Sequence, residues 1–247
     1  MSAFVSEFKI LIIRSGRQGI KKGLGAMRFM QITTLLVLLT ISSTTVAANF
    51  SVSGLNGSGC ENLRGSRVCV TMLLAGDIER GDAARLLDFI DATSNVLSSN
   101  LKQPVRVGQI YLHSNGGNLI EAMEIGRAIR NNLMSVQVTH DSVCYSACVI
   151  AHLGGVVRIP VGPMGIHSFY SSEFVGAENF ASSSKKYNEI SELVGAYMRE
   201  MRVPTSLLEE MMKVSHKSVK ILDFEEMKRF GVIGQDPVYL QAKGDSL

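Results

Sequence analysis

Proline is scarce in this sequence, with five in 247 residues, cysteine is scarcer at four, and charged side chains make up only 19%. Five prolines beside 23 glycines, without any repeat, exclude a collagen-like chain. The low charge, set against 46% hydrophobic residues, excludes a disordered tail, and four cysteines over this length exclude a small disulfide knot. An excess of one charge is lacking as well. The formal +3 resides in residues 1–48, where Lys9, Arg14, Arg17, Lys21, Lys22 and Arg28 face only Glu7. Without that segment 19 basic and 21 acidic residues remain, a balance that offers no basic surface to a nucleic acid. What is present is enough apolar material for one large domain or two small ones.

No hydrophobic run is long enough to span a bilayer. Arg28 precedes an apolar stretch from Ile32 to Ile41 broken only by threonines, and Val46-Ala47-Ala48 stand before Asn49. A short positive region, a short apolar region and small residues at a cleavage position make up a secretory signal peptide. The expectation is therefore export, periplasmic or secreted, with cleavage after Ala48. The alternative is an uncleaved anchor, and the leader is then the one membrane contact. Residues 1–48 are read as the leader, with Met27 or Met30 as alternative starts, residues 49–66 as a linker and 67–240 as the folded domain.

The four cysteines, Cys60, Cys69, Cys144 and Cys148, all follow the leader, and an even count suits an oxidising compartment. Cys60 and Cys69 flank Gly65-Ser66, so a hairpin would bring them into a bridge worth roughly 2–3 kcal/mol in the chain-entropy model. Cys144 and Cys148 are four apart, and in a regular helix their Cβ atoms stand about 5–6 Å apart, too far for a bridge. They pair only if Cys144 lies outside the helix; otherwise they are two small buried thiols. Neither pair has the spacing of a zinc site and the five histidines are scattered, so no metal is expected.

Beyond the linker, strand and helix patterns alternate. Val68–Leu74, Val105–Leu112 and Ser135–Thr139 are β-branched and apolar; Val156–Ile159 and Met164–His167 are shorter runs of the same kind. Asp82–Leu97 and Leu119–Asn131 carry apolar residues at helical spacing. A short helix follows Ser146, longer ones run from about Phe180 to Met201 and from Thr205, and Asp223-Phe-Glu-Glu226 opens a last helix that Gly231 closes. Such alternation predicts an α/β domain with a largely parallel sheet.

Three places in this series hold chemistry. Gly116-Gly117 lies between a strand and a helix, where glycine lets a backbone N–H approach a ligand closely; it is equally a plain tight turn. Ser146 lies at a strand-to-helix junction, as a nucleophile or as an ordinary N-cap. His167 ends a short strand, as a base or as a hydrogen-bonded structural residue.

Taken in order, Gly-Gly, Ser and His over this strand–helix series resemble the proteolytic subunit of the Clp protease and its relatives in the Clp-protease/crotonase superfamily. Ile110-Tyr-Leu-His-Ser-Asn-Gly-Gly117 looks like that family's strand ending in a glycine motif, and Leu119–Ile129 like its next helix. Ser146 falls at the nucleophile, Pro163-Met-Gly-Ile-His167 at the base histidine, and Leu222–Ile233 at the closing helix and turn. The resemblance covers Gly76 to about Gly234. It implies a layered β-sheet core flanked by helices in repeated strand–helix units. It also implies a hydrolase of the serine-peptidase type, with Ser146 attacking a carbonyl, His167 taking its proton, and the N–H groups of Gly117 and Ala147 holding the oxyanion. No cofactor is implied. Asn115 replaces the family's proline, Cys144 and Tyr145 replace small residues, and Ser215, with His216 beside it, stands where the third member, an aspartate, belongs.

The implied partners are a polypeptide substrate and further copies of the same chain. The family assembles through the helix after its histidine strand, so Ile190, Leu193, Val194, Tyr197 and Met201 face either a neighbour or the core. An exported chain has no access to an ATP-driven unfoldase. Two readings follow: an ATP-independent peptidase, and a catalytically degenerate relative that binds peptides or proteins. An acyl-CoA-handling relative is third, disfavoured because that cofactor is cytosolic.

Overall fold

The computed structural model describes residues 47–55, 68–169 and 180–239, all within one compact unit, Thr44–Leu247. Its backbone runs β1 (Asn49–Leu55), β2 (Val68–Ala75), α1 (Asp82–Leu101), β3 (Val105–His113), α2 (Leu119–Asn131), β4 (Ser135–Val138), β5 (Cys144–Tyr145), α3 (Ala147–His152), β6 (Val157–Pro160) and β7 (Met164–Ile166). It continues with α4 (Phe180–Glu200), α5 (Ser206–Lys213), β8 (Lys220–Ile221), α6 (Phe224–Arg229) and β9 (Gly234–Gln235).

The strands form two sheets. The larger has the order β1-β2-β3-β4-β6-β9, parallel through β2, β3, β4 and β6 with antiparallel strands at both edges. The smaller has the order β5-β7-β8, with β5 parallel and β8 antiparallel to β7. The expected α/β class, with repeated strand–helix units, is what the chain forms. Parallel neighbours need a crossover, and α1 and α2 supply it between β2, β3 and β4. Met72, Leu74, Ile110, Leu112 and Val136 are fully buried, as are Leu86, Ile125 and Ile129 of the covering helices, which makes one continuous core. Each such side chain contributes about 1.5–3 kcal/mol by leaving water.

Part of the expected linker is a strand. Residues 49–55 of the 49–66 segment form β1, paired antiparallel to β2 from Asn49 opposite Ala75 to Leu55 opposite Val70, with a bulge between Val52 and Gly54. The physical reason is Phe50, whose ring lies 6.1 Å from that of Phe89 with the Arg85 guanidinium over it, so an otherwise exposed Ser/Gly-rich segment is anchored by one aromatic contact. Ala48, just before it, is buried, and Ala47 bridges Asp77. The rest of that segment, 56–67, lies outside the described residues, and Cys60 with it. Cys69 is buried in β2 and disulfide-bonded.

The helix α4 settles the two readings of its apolar residues. Val194, Tyr197 and Met201 are fully buried, Ile190 packs against the core, and Leu193 alone is exposed. The Tyr197 hydroxyl donates to the Ile150 carbonyl of α3 at 2.9 Å, so α4 clamps the short helix that follows Ser146.

Two charged-group environments set the acid stability. At the end of α3, His152 is fully buried; its Nε2 lies 2.9 Å from the Val232 carbonyl and its Nδ1 has no hydrogen-bond partner. Burial, helped by the Arg158 charge and opposed by the Val232 bond, pushes the imidazole down to about 4. Asp236 is buried too. Burial alone would raise its carboxyl, but the Arg130 guanidinium and the N–H groups of Tyr239 and Val238 more than offset this and hold it at about 2. The windows are separate. As pH falls from 6.5 toward 4 the unfolded His152 takes a proton that the folded one refuses, so stability declines by about 3 kcal/mol over that interval. Asp236 contributes stability above its ordinary value of 3.8 and loses it only as pH falls toward 2. Denaturant melts of His152→Gln, which keeps an N–H for Val232 but does not titrate, should be nearly flat from pH 6.5 to 4 where the parent slopes. An equal slope in both would remove His152 as the cause.

Candidate active site

The sheet ends converge on Ser146. Residues Val143 to Ser146 run between β3 and β7: Ser114 N–H donates to the Val143 carbonyl at 2.9 Å, Tyr145 N–H to the Ser114 carbonyl at 3.0 Å, and Ser146 N–H to the Gly165 carbonyl at 2.8 Å. The chain then turns sharply into α3. Ser146 makes the turn at φ 56° and ψ −123°, and its side chain makes no capping bond. That excludes the ordinary N-cap. A serine in this conformation costs about 1–3 kcal/mol and persists only where its surroundings impose it. A strained strand-to-helix turn is also how a nucleophilic serine is presented above a sheet, half-buried and without a local partner for its hydroxyl.

The glycine loop lies directly against this turn. A Cβ on Gly116 would stand 2.8 Å from the Ser146 Cβ, 2.8 Å from the Tyr145 carbonyl oxygen and 3.1 Å from the Ala147 nitrogen. Only glycine permits that approach. Both Gly116 and Gly117 have positive φ, 113° and 129°. Ile78 fixes the loop from the other side: its N–H donates to the Gly116 carbonyl and its carbonyl accepts from Asn118 N–H, each at 2.7 Å. In that parallel bridge Gly117 is the residue between, so its own N–H points away from Ile78. Gly117 is exposed. Ala147 opens α3, so its N–H has no carbonyl one turn earlier in the helix. These two donors, without a partner among the described residues, sit on segments that touch beside Ser146.

His167 leaves β7 one residue after its end. Because Tyr145 pairs with Gly165 in parallel register, Ser146 and His167 leave neighbouring strands at the same end of the smaller sheet. The imidazole is half-buried and its Nδ1 lies 2.8 Å from the Ser168 carbonyl oxygen. A carbonyl only accepts, so this contact puts the proton on Nδ1 and leaves the lone pair on Nε2, the state a general base needs. Ser168 N–H in turn donates to the Val214 carbonyl at 2.9 Å, which brings the segment carrying Ser215 beside the histidine. Ser215 itself is exposed; its hydroxyl accepts from Lys217 N–H at 3.3 Å and its carbonyl accepts from Ser218. No carboxylate among the described residues bonds His167. Lys220, opposite Ile166 in β8, is taken up by Glu210 and Glu226.

Further residues shape the site. Ser114 holds the loop through its hydroxyl, which accepts from Gly116 N–H at 3.1 Å and donates to the Gly116 carbonyl at 3.3 Å; a serine two residues before a glycine was a usable turn signal. Ile78 had no such signal, since its role comes from a pairing 39 residues along the chain. Cys144 and Cys148 are joined by a disulfide, and Cys144 lies in β5, outside the helix, as that bridge requires. Among the described residues no group of three or more His, Cys, Asp or Glu is placed to hold a metal, and no helix is long and apolar enough to cross a membrane.

No protein-family model matches the chain, and no curated protein sequence matches it. Solved structures similar to it include a variant of ClpP1 from Listeria monocytogenes, 17% identical, spanning 69% of this chain and 94% of its own, with a TM-score of 0.41. Another is a variant of the 1510-N membrane-bound stomatin-specific protease, 17% identical, spanning 75% of this chain and 87% of its own, with a TM-score of 0.42. Roles at the site rest on this chain's own geometry.

Proposed function

We propose that the chain is an exported, ATP-independent serine peptidase of Clp-protease-like architecture that cleaves polypeptides with Ser146 and His167. The observation that carries the reading is the strained backbone of Ser146, φ 56° and ψ −123°, held against Gly116 at the mouth of the smaller sheet. The Ser146 hydroxyl caps no helix, and backbone strain at such a position points to chemistry.

The reaction begins with a substrate carbonyl carbon set above Ser146 Oγ. Nε2 of His167 takes the hydroxyl proton as Oγ attacks, and the carbonyl oxygen, now an anion, is met by the N–H groups of Gly117 and Ala147. The imidazolium gives its proton to the leaving amine, and water releases the acyl group by the same steps in reverse. The Ser168 carbonyl, 2.8 Å from Nδ1, orients the ring. It carries only a partial charge and stabilises imidazolium less than a carboxylate does, so the enzyme should be slow compared with full triads.

Ser215 at the third-member position, and no carboxylate among the described residues bonded to His167, also favour a second reading, a binding relative that holds peptides without cleaving them. A fluorophosphonate probe separates the two. Covalent labelling lost in Ser146→Ala supports the peptidase; absence of labelling in the folded parent leaves the binding module.

Export and assembly belong to the same proposal. N-terminal sequencing of protein recovered from outside the cytoplasm should begin at Asn49, which retains the whole of β1. A soluble cytoplasmic chain with its leader intact would overturn the compartment. A homo-oligomer is expected from light scattering of the purified protein, with polypeptide substrates and no unfoldase.

A further inference from the structure

We infer that the Cys144–Cys148 disulfide is a positioning device for the nucleophile, pinning the two sides of the Ser146 turn so that Oγ and the Ala147 N–H stay aimed at one substrate carbonyl. The inference rests on the serine-peptidase reading. The bond closes a ring around Tyr145, Ser146 and Ala147, which include both the attacking oxygen and one oxyanion donor.

The two sides of the turn are held unequally. On the strand side Cys144 N–H donates to the Pro163 carbonyl at 3.0 Å, and Tyr145 and Ser146 are bonded to Ser114 and Gly165. On the other side α3 is six residues long, too short to persist by its own hydrogen bonds; its later residues are held by Tyr197 at the Ile150 carbonyl and by Val232 at His152, while Val149 N–H to the Ser146 carbonyl ties back its first turn. Relief of the positive φ at Ser146 acts on the peptide that carries the Ala147 N–H, between the bonded strand side and the held body of α3. The disulfide opposes that relief: it holds the Cα atoms of residues 144 and 148 at 5.2 Å, where an extended segment of four residues spans about 13 Å. Both cysteines are fully buried, so the bond is out of reach of solvent thiols while the domain is folded. It acts as a fixed clamp, closed as the chain folds.

A bond that merely stabilised the domain would leave the chemistry of a folded molecule unchanged, and that difference is measurable. The test compares the parent with Cys144→Ala/Cys148→Ala, a double variant that leaves no odd thiol. Fluorophosphonate labelling of Ser146 is followed over a range of probe concentrations, at a temperature where circular dichroism shows both proteins folded. The maximal labelling rate should fall about a hundredfold, the cost of misplacing reacting atoms by about an ångström, while the probe's half-saturating concentration stays within about twofold. An unchanged maximal rate would overturn the clamp and leave the peptidase standing. Failure of the parent to label would overturn both. If the double variant does not fold, Cys60→Ala/Cys69→Ala, in which Cys144–Cys148 is the one bond left, is refolded with a phosphine reductant and labelled before and after reoxidation. Recovery of the rate supports the clamp; equal rates overturn it, as does a reduced chain that never folds, which would make the bond a requirement of the domain as a whole.

Discussion

Ser146→Ala and His167→Ala should each lower peptide hydrolysis by about a thousandfold or more, and the double variant should lose little beyond either one. A hydroxyl is a weak nucleophile until a base accepts its proton, and a base without a nucleophile has nothing to activate, so the pair acts as a unit. For that transfer Oγ and Nε2 must come within about 2.6–3.2 Å in the competent state. The geometry supplies the setting: neighbouring parallel strands, Ser146 N–H bonded to Gly165, and an Nδ1 occupied by the Ser168 carbonyl. Ser215→Ala is the informative comparison. That side chain is exposed and bonded only within its own turn, so its loss should cost about tenfold or less. Additive losses from the two single variants would mean that serine and histidine act separately. A large loss at Ser215 would make its hydroxyl, and not the Ser168 carbonyl, the group that orients the ring. Initial rates on a dye-labelled unfolded protein, with thermal melts of each variant, decide among these outcomes.

The second large effect is expected at Gly117. A Cβ there would stand 2.2 Å from the Ile78 carbonyl oxygen and 2.9 Å from the Ile78 nitrogen, both backbone atoms, and φ is 129°. Gly117→Ala therefore cannot be absorbed by a side-chain rotation. The loop must move off Ile78, and the Gly117 N–H moves with it. Loss of one oxyanion donor costs about 10²–10³ in kcat, with KM much less affected, because the donor meets a charge that exists only in the transition state. Gly54→Ala serves as the control, since a Cβ there meets nothing within 4 Å. It should leave both rate and melting temperature unchanged. A folded Gly117→Ala protein that keeps its kcat would remove Gly117 from the oxyanion site.

Helical and strand periodicity, read along the chain, placed the core elements. The span of α2 and the start of β3 agree with that reading, and the Asp223–Glu226 capping box is present in both directions, with Asp223 accepting from Glu226 N–H and Glu226 from Asp223 N–H. These are local matters, decided by neighbours three or four residues away, so the sequence contains them in full. Four strands were not legible. β1 alternates over Asn49-Phe50-Ser51-Val52-Ser53, but its serines and Gly54 read as a linker, and it is anchored by Phe50 meeting Phe89; β5, β8 and β9 are two residues each, too short for any periodicity, and exist because a partner strand is there to bond them.

The site divides in the same way. Gly116-Gly117, Ser146 and His167 were visible as residue types at element ends, because the chemistry demands a flexible backbone, a hydroxyl and an imidazole. Whether Ser146 was a cap or a nucleophile was not visible, since the same residue suits both at a helix start. φ and ψ at one residue, imposed by Gly165, Gly116 and α3 together, exclude the ordinary cap. The pairing of Cys144 with Cys148 turned on whether the helix begins before or after residue 144. Propensity cannot resolve a boundary to one residue, whereas the pairing of β5 with β7 holds Cys144 in a strand and lets the bridge close. The sequence by itself determined which chemical groups this protein carries and along which elements. Only the tertiary structure decided which of them meet, because those meetings depend on pairings between segments tens of residues apart.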